Sequence, residues 1–306
     1  MKKFIVICMA LIATFSVFPH DDDRYTHHDL LASLKDGEKA AVLMIHFGTT
    51  HDDTRAVTID ALNRRIQEAY PQVEVREAYS SRIVINRLRQ RGVEKLNPLE
   101  ALEKLHADGF THVLIQSSNV IDGVEMDAME KNVAEVRSLF KEIRTGDPLL
   151  YHPEDYSTVI DILTVSNDAH TAYVWVGHGT YTPTTAQYAM LDYMLKDKGH
   201  HNCFVGTVEG YPEYEQVLSQ LKKSGLKKVV LVPFMFVAGD HAKNDIATDW
   251  KEALEKEGFE VEVLMKGLGQ YPAIRDLYLA HLQFAATHRV EGITERKARY
   301  QGSKED

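Results

Sequence analysis

Cysteine is almost missing: Cys8 and Cys203 are the only two in 306 residues. That count excludes a cysteine-built metal cluster. Cys8 also lies inside an apolar N-terminal run, so removal of that run leaves one thiol and no internal disulfide. A basic excess is missing too. Lys and Arg number 35 against 45 Asp and Glu, for a net charge of −10, and no clustered basic face suits a nucleic-acid backbone. No uninterrupted apolar run approaches the roughly 20 residues of a spanning helix. Nucleotide fingerprints are lacking as well. Gly177-His178-Gly179 has no third glycine to make G-x-G-x-x-G, and there is no Walker A run. No G-x-S-x-G elbow is present.

What remains is an ordinary globular composition, 44% hydrophobic and 26% charged. At the start, Lys2 and Lys3 precede the uncharged run Phe4–Phe18, followed by Pro19, His20 and Asp21 to Asp23. This has the layout of a secretory signal over residues 1–22 and predicts a periplasmic protein with no membrane span after signal removal. An uncleaved anchor and a buried amphipathic helix are the other readings. Residues 23–39 read as a flexible polar lead-in, with His27 and His28 as surface residues or loose metal scavengers.

From Ala40 the chain alternates strand and helix patterns. Strands are expected at Ala40–Phe47, Val73–Ala78, Thr111–Gln116 and, weakly, Pro148–Tyr151, with one long helix over Met126–Ile143. The second half repeats the order, with strands at Ala172–Val176, Cys203–Val208, Lys228–Pro233 and Val261–Met265. This alternation predicts an α/β fold of parallel sheets flanked by helices. The halves also match in detail: HFGT at 46–49 with GHGT at 177–180, and VREAY at 75–79 with TVEGY at 207–211. Two similar lobes follow, 40–167 and 168–287, with a ligand cleft between them and a charged, frayed tail over 288–306.

Three residues fall at successive strand ends of the second lobe: His178, Glu209 and His241. Parallel neighbours would bring them to one rim, and two imidazoles with a carboxylate suit a divalent transition metal. The same histidines could accept protons. Each has a plainer reading, as a hydrogen-bonded loop histidine or, for Glu209, as the cap of a helix starting near Pro212. The first lobe has Phe47, Glu77 and Glu125 at the matching positions, so the histidine pair is not repeated.

The runs FGTTHDDTR at 47–55, PLEALEKLHADGF at 98–110, VEGYP at 208–212, VPFMFVAGDHAKNDIATDW at 232–250 and GLGQYPAIRDLYLAHL at 267–282 resemble the anaerobic sirohydrochlorin cobaltochelatases. His46 departs from that pattern, where many members carry a small residue. The resemblance implies a class II chelatase, ferrochelatase-like in fold, a lyase of cobalamin biosynthesis that inserts Co²⁺ into a tetrapyrrole without a nucleotide. It implies His178, Glu209 and His241 as metal ligands, with His178 and His241 catalytic. Thr49, Thr50 and Thr180 are candidates to hold the substrate's peripheral carboxylates. Fe²⁺ insertion by the same site, or a non-catalytic exported haem- or metal-binding protein, are the competing expectations. A homo-oligomer is compatible with all three.

Overall fold

The computed structural model describes residues 24–239 and 242–302. Its ten strands are β1 (Tyr25–His27), β2 (Ala40–His46), β3 (Glu74–Tyr79), β4 (His112–Ser117), β5 (Glu142–Gly146), β6 (Thr171–Gly179), β7 (Cys203–Glu209), β8 (Lys228–Pro233), β9 (Glu260–Val263) and β10 (His288–Val290). β2 to β5 form a parallel sheet in the order β3-β2-β4-β5, and β6 to β9 form another in the order β7-β6-β8-β9. The two orders are the same order, so the sequence repeat is a repeat of topology.

Parallel strands covered on both faces need apolar side chains in both alternating positions. β2 supplies them: Val42 and Met44 enter one buried cluster, while Ala41, Leu43 and Ile45 enter another. On β6, Trp175 points one way and Val174 and Val176 the other. The inner cluster is common to both sheets. It joins Met44 and Leu62 to Trp175, Val232 and Phe234, with Leu277, Tyr278 and Leu282 of the helix Pro272–Thr287. Trp175 stacks on Phe234 at 5.6 Å with 2° between the rings. Each such side chain contributes roughly 1.5–3 kcal/mol on burial, so a shared cluster of this extent binds the lobes firmly together.

The helix Pro272–Thr287 follows the second sheet in sequence but serves the first. Its Tyr278 hydroxyl donates to the carbonyls of Ser118 and Asn119, both at 3.1 Å. Its His281 Nε2 lies 3.0 Å from Asp155 Oδ1, with both side chains fully buried.

Two expectations from the sequence require correction in the first lobe. The expected helix Met126–Ile143 ends at Val136 and turns through Arg137–Leu139. Residues Glu142–Gly146 then form the fourth strand, in place of Pro148–Tyr151, by pairing with the open edge of β4. Leu149 and Leu150 do donate to the carbonyls of Asn119 and Val120, but from a loop.

The lead-in and tail are likewise ordered where they are described. β1 pairs antiparallel with β10, Leu30 is fully buried, and a helix runs over Ile293–Gly302. Arg144 is the reason. Its Nη1 donates to the carbonyls of His28 at 2.7 Å, Ala285 and Ala286 at 3.0 Å and His288 at 3.3 Å. One buried guanidinium thus gathers the segments around His28 and Ala285 and satisfies carbonyls at a helix C-terminus. The expected signal over 1–22 lies outside the described residues. Among those described, no helix is long and apolar enough to cross a membrane.

Candidate active site

β6 and β7 are neighbours, with Gly179 opposite Glu209 in the register. His178, one residue before Gly179, and Glu209 therefore lie at the ends of neighbouring strands on the C-terminal rim of the second sheet, and both are half-buried. Glycines permit this closeness. A Cβ on Gly179, which has φ of 85°, would sit 1.6 Å from the carbonyl oxygen of Glu209. A Cβ on Gly210, with φ of 92°, would sit 2.2 Å from the carbonyl oxygen of Thr180. Both angles lie where only glycine is at ease.

His178 Nδ1 lies 3.3 Å from the Gly179 carbonyl oxygen. A carbonyl only accepts, so the proton sits on Nδ1 and the lone pair on Nε2. That tautomer suits a metal ligand or a proton acceptor. Glu209 is not the helix cap. The helix Tyr214–Ser224 is capped by Glu213, whose side chain accepts from the backbone while Gln216 closes the box from the other side.

His241 lies outside the described residues. β8 pairs with β6 on the side away from β7. The chain that follows β8 is described to Gly239 and again from Ala242, where the helical stretch Ala242–Trp250 begins. Among the described residues, no three His, Cys, Asp or Glu side chains group to hold a metal. Cys203 is buried, and burial pushes its thiol up to about 11, so it offers no thiolate.

The first lobe meets this rim through its loop 47–51. A Cβ on Gly239 would lie 3.8 Å from Thr49 Oγ1. Lys243 Nζ is 3.3 Å from His51 Nδ1 across the same opening. Two of the three threonines have their hydroxyls engaged locally. Thr49 is buried and its Oγ1 accepts from the His51 amide, while Thr180, also buried, accepts from the Thr182 amide. Thr50 accepts from Arg91 through its carbonyl.

Behind the loop, His46 is buried and fixed at both nitrogens. Nδ1 meets Ser118 Oγ and Nε2 meets Asn63 Oδ1, each at 2.9 Å. Asn63 in turn donates to Glu77, which is paired with Lys95. Burial holds the imidazole below its usual range against the pull of the Asn63 hydrogen bond, so it stays neutral. Its ring stacks on Phe236 from the second lobe at 6.1 Å. Glu77, the first-lobe counterpart of Glu209, is thus neutralised inside a structural network. Glu125 lies half-buried in the first turn of the helix Val124–Val136.

Sequence reasoning did not single out the exposed aromatics of the rim as a substrate surface. Phe47 follows β2, Tyr181 follows β6 and Tyr211 follows β7, with 47%, 81% and 52% of their surfaces exposed. Uncovered rings one or two residues beyond strand ends offer a flat apolar ligand a surface. The sequence carried only a weak signal for this, since tyrosines at such spacing usually pack inside.

The profile of the family described as Cobalt chelatase (CbiK) matches residues 40–287. The chain is 36% identical over 261 residues to a sirohydrochlorin cobaltochelatase of Salmonella typhimurium, covering 83% of this chain and 98% of that one. It is 30% identical over 259 residues to the sirohydrochlorin cobaltochelatase CbiKC of Nitratidesulfovibrio vulgaris, covering 81% and 91%. The fold is similar to that of SirB from Bacillus subtilis with Fe³⁺, at a TM-score of 0.58 and 15% identity, over 81% of this chain and 96% of SirB. Both duplicated sheets, the glycine-tightened rim and the strand-end pair His178 and Glu209 lie inside the matched span, and the chain belongs to the cobalt chelatase (CbiK) family.

Proposed function

We propose that the chain inserts Co²⁺ into sirohydrochlorin, without a nucleotide, in the cleft between the two sheets. One observation carries this reading: His178 and Glu209 share the rim of hydrogen-bonded neighbours in a chain of the cobalt chelatase family. The relatives that match over most of their length are sirohydrochlorin cobaltochelatases by name.

The reaction replaces two pyrrole N–H protons with a dication, so the charge of the ring core is unchanged and two protons need an acceptor. In this reading Glu209, His178 and His241 take the incoming metal as substrate. A carboxylate offsets part of its charge, and neutral imidazoles supply lone pairs. A lone pair cannot hold metal and proton together. His178, with Nδ1 tied to a carbonyl, therefore serves as principal ligand, while His241 lets go of the metal as it passes to the ring and then accepts the two pyrrole protons one after the other, handing each to solvent. Phe47, Tyr181 and Tyr211 supply apolar contact for the flat macrocycle, and Lys243 at the mouth supplies positive charge for its peripheral carboxylates.

The test is direct. Purified protein mixed with sirohydrochlorin and Co²⁺, or Fe²⁺, is followed by absorbance. Acceleration with Co²⁺ is expected; a rate equal to the uncatalysed rate with both metals would overturn the enzyme reading in favour of a binding protein.

We also infer export to the periplasm. Its support is the sequence pattern alone: Lys2 and Lys3, the run Phe4–Phe18 and the polar residues after it. Sequencing the mature N-terminus from an envelope fraction should give a start between about residues 17 and 24. An intact Met1 on a soluble cytoplasmic protein would refute export.

A further inference from the structure

We propose that the ribbon of β1 and β10 carries a second divalent transition-metal site, built on His27 and His288. The two residues are directly opposite in the antiparallel register, so both side chains leave the same face. Their ring centroids are 5.4 Å apart, a separation that a metal with Zn–N-type bonds of about 2.0–2.1 Å on each side can bridge.

The hydrogen bonds fix which nitrogen is available to a metal. The Thr287 hydroxyl gives its proton to the Gln283 carbonyl at 2.9 Å, so toward His288 Nδ1, at 3.0 Å, it accepts. The Phe284 carbonyl, 3.3 Å from the same nitrogen, can only accept as well. His288 therefore carries its proton on Nδ1 and its lone pair on Nε2. A ring N–H held by a backbone carbonyl is the usual support behind a metal-ligating histidine.

His288 is also held in place. Its ring stacks on Phe284 at 4.2 Å, and its carbonyl is among those gathered by Arg144. His27 is exposed and turns to meet an ion. His28 is excluded: its Nδ1 lone pair is taken by Arg144 Nη2 at 2.6 Å. Two imidazoles with water filling the remaining positions select Cu²⁺, Ni²⁺, Zn²⁺ or Co²⁺ over Mg²⁺ or Ca²⁺.

Calorimetric titration of the full chain with Zn²⁺, in a His178→Ala/His241→Ala background, tests this apart from the proposed active site. One equivalent should remain in that background. It should vanish in His27→Asn and in His288→Asn and persist in His28→Asn. Bound Cu²⁺ should show nitrogen hyperfine splitting that is lost with the same two substitutions. His27 is exposed, so its variant keeps the fold. In the otherwise wild-type chain His27→Asn should also leave chelatase turnover unchanged. No residual equivalent, or one that survives His27→Asn, overturns the proposal.

Discussion

His178 and Glu209 sit where β6 and β7 end, and the two residues invite opposite kinds of test. Replacing His178 with Ala should lower chelatase turnover by about 10²–10⁴-fold. The melting curve should stay near wild type, because the side chain is only half-buried at a rim. A variant with near-wild-type turnover would remove His178 from the site. At position 209 the comparison is with Glu213. Glu209→Gln should weaken Co²⁺ binding strongly and leave stability unchanged, since a neutral amide is a poorer donor to a dication. Glu213→Ala should do the reverse, costing about 1 kcal/mol through the lost helix cap and leaving Co²⁺ affinity intact. Calorimetry and thermal melts on both variants check the pair. His178, Glu209 and their glycines were legible in the sequence because all are local to two strand ends. The engaged hydroxyls of Thr49 and Thr180 were not, because a turn that absorbs its own hydroxyl looks the same in sequence as one that displays it. His46 stood out by residue type alone. Its partner Ser118 is 72 residues away, and no local pattern announces such a bond.

At the scale of elements, the misread segment is Met126–Ile143. Its apolar residues keep helical spacing through Phe140, so periodicity favoured one helix. What ends the helix is tertiary: β4 leaves an edge of unpaired backbone groups that only another strand can satisfy. The lead-in and tail were misjudged for the same reason, since Arg144 and the β1–β10 pairing join residues at opposite ends of the chain. The helix Pro272–Thr287 is tied down by His281. Its two nitrogens face acceptors, Asp155 Oδ1 and the Asp147 carbonyl oxygen. Burial opposes its charge, but the hydrogen bond and the carboxylate of Asp155 prevail and hold it above its usual range. A histidine raised on folding stabilises fully below its unfolded value near 6.5 and loses that contribution as pH climbs through its folded value. The melting-temperature difference between wild type and His281→Asn should therefore be largest near pH 5–6 and shrink as pH rises above that. A difference that grows with pH would show that the pair is not ionic.

For the molecule as a whole, the duplication was legible because parallel sheets write both faces into short apolar runs at regular spacing. The sharing of one core between the two sheets was not, since it depends on which faces turn toward each other. That sharing has a measurable consequence. With Trp175, Phe234 and Met44 in one cluster, calorimetry should show a single cooperative transition in place of separate melting of two lobes. The same sharing brings the two rims close, with Thr49 against Gly239 and His51 beside Lys243. The central claim is that this cleft drives metal into a tetrapyrrole through its strand-end ligands. A single-turnover experiment, with sirohydrochlorin and Co²⁺ mixed against excess enzyme and read by absorbance, tests it most directly. The account predicts rapid conversion by wild type, and by His178→Ala and Glu209→Gln a rate close to that without enzyme. Equal rates for wild type and both variants would contradict it.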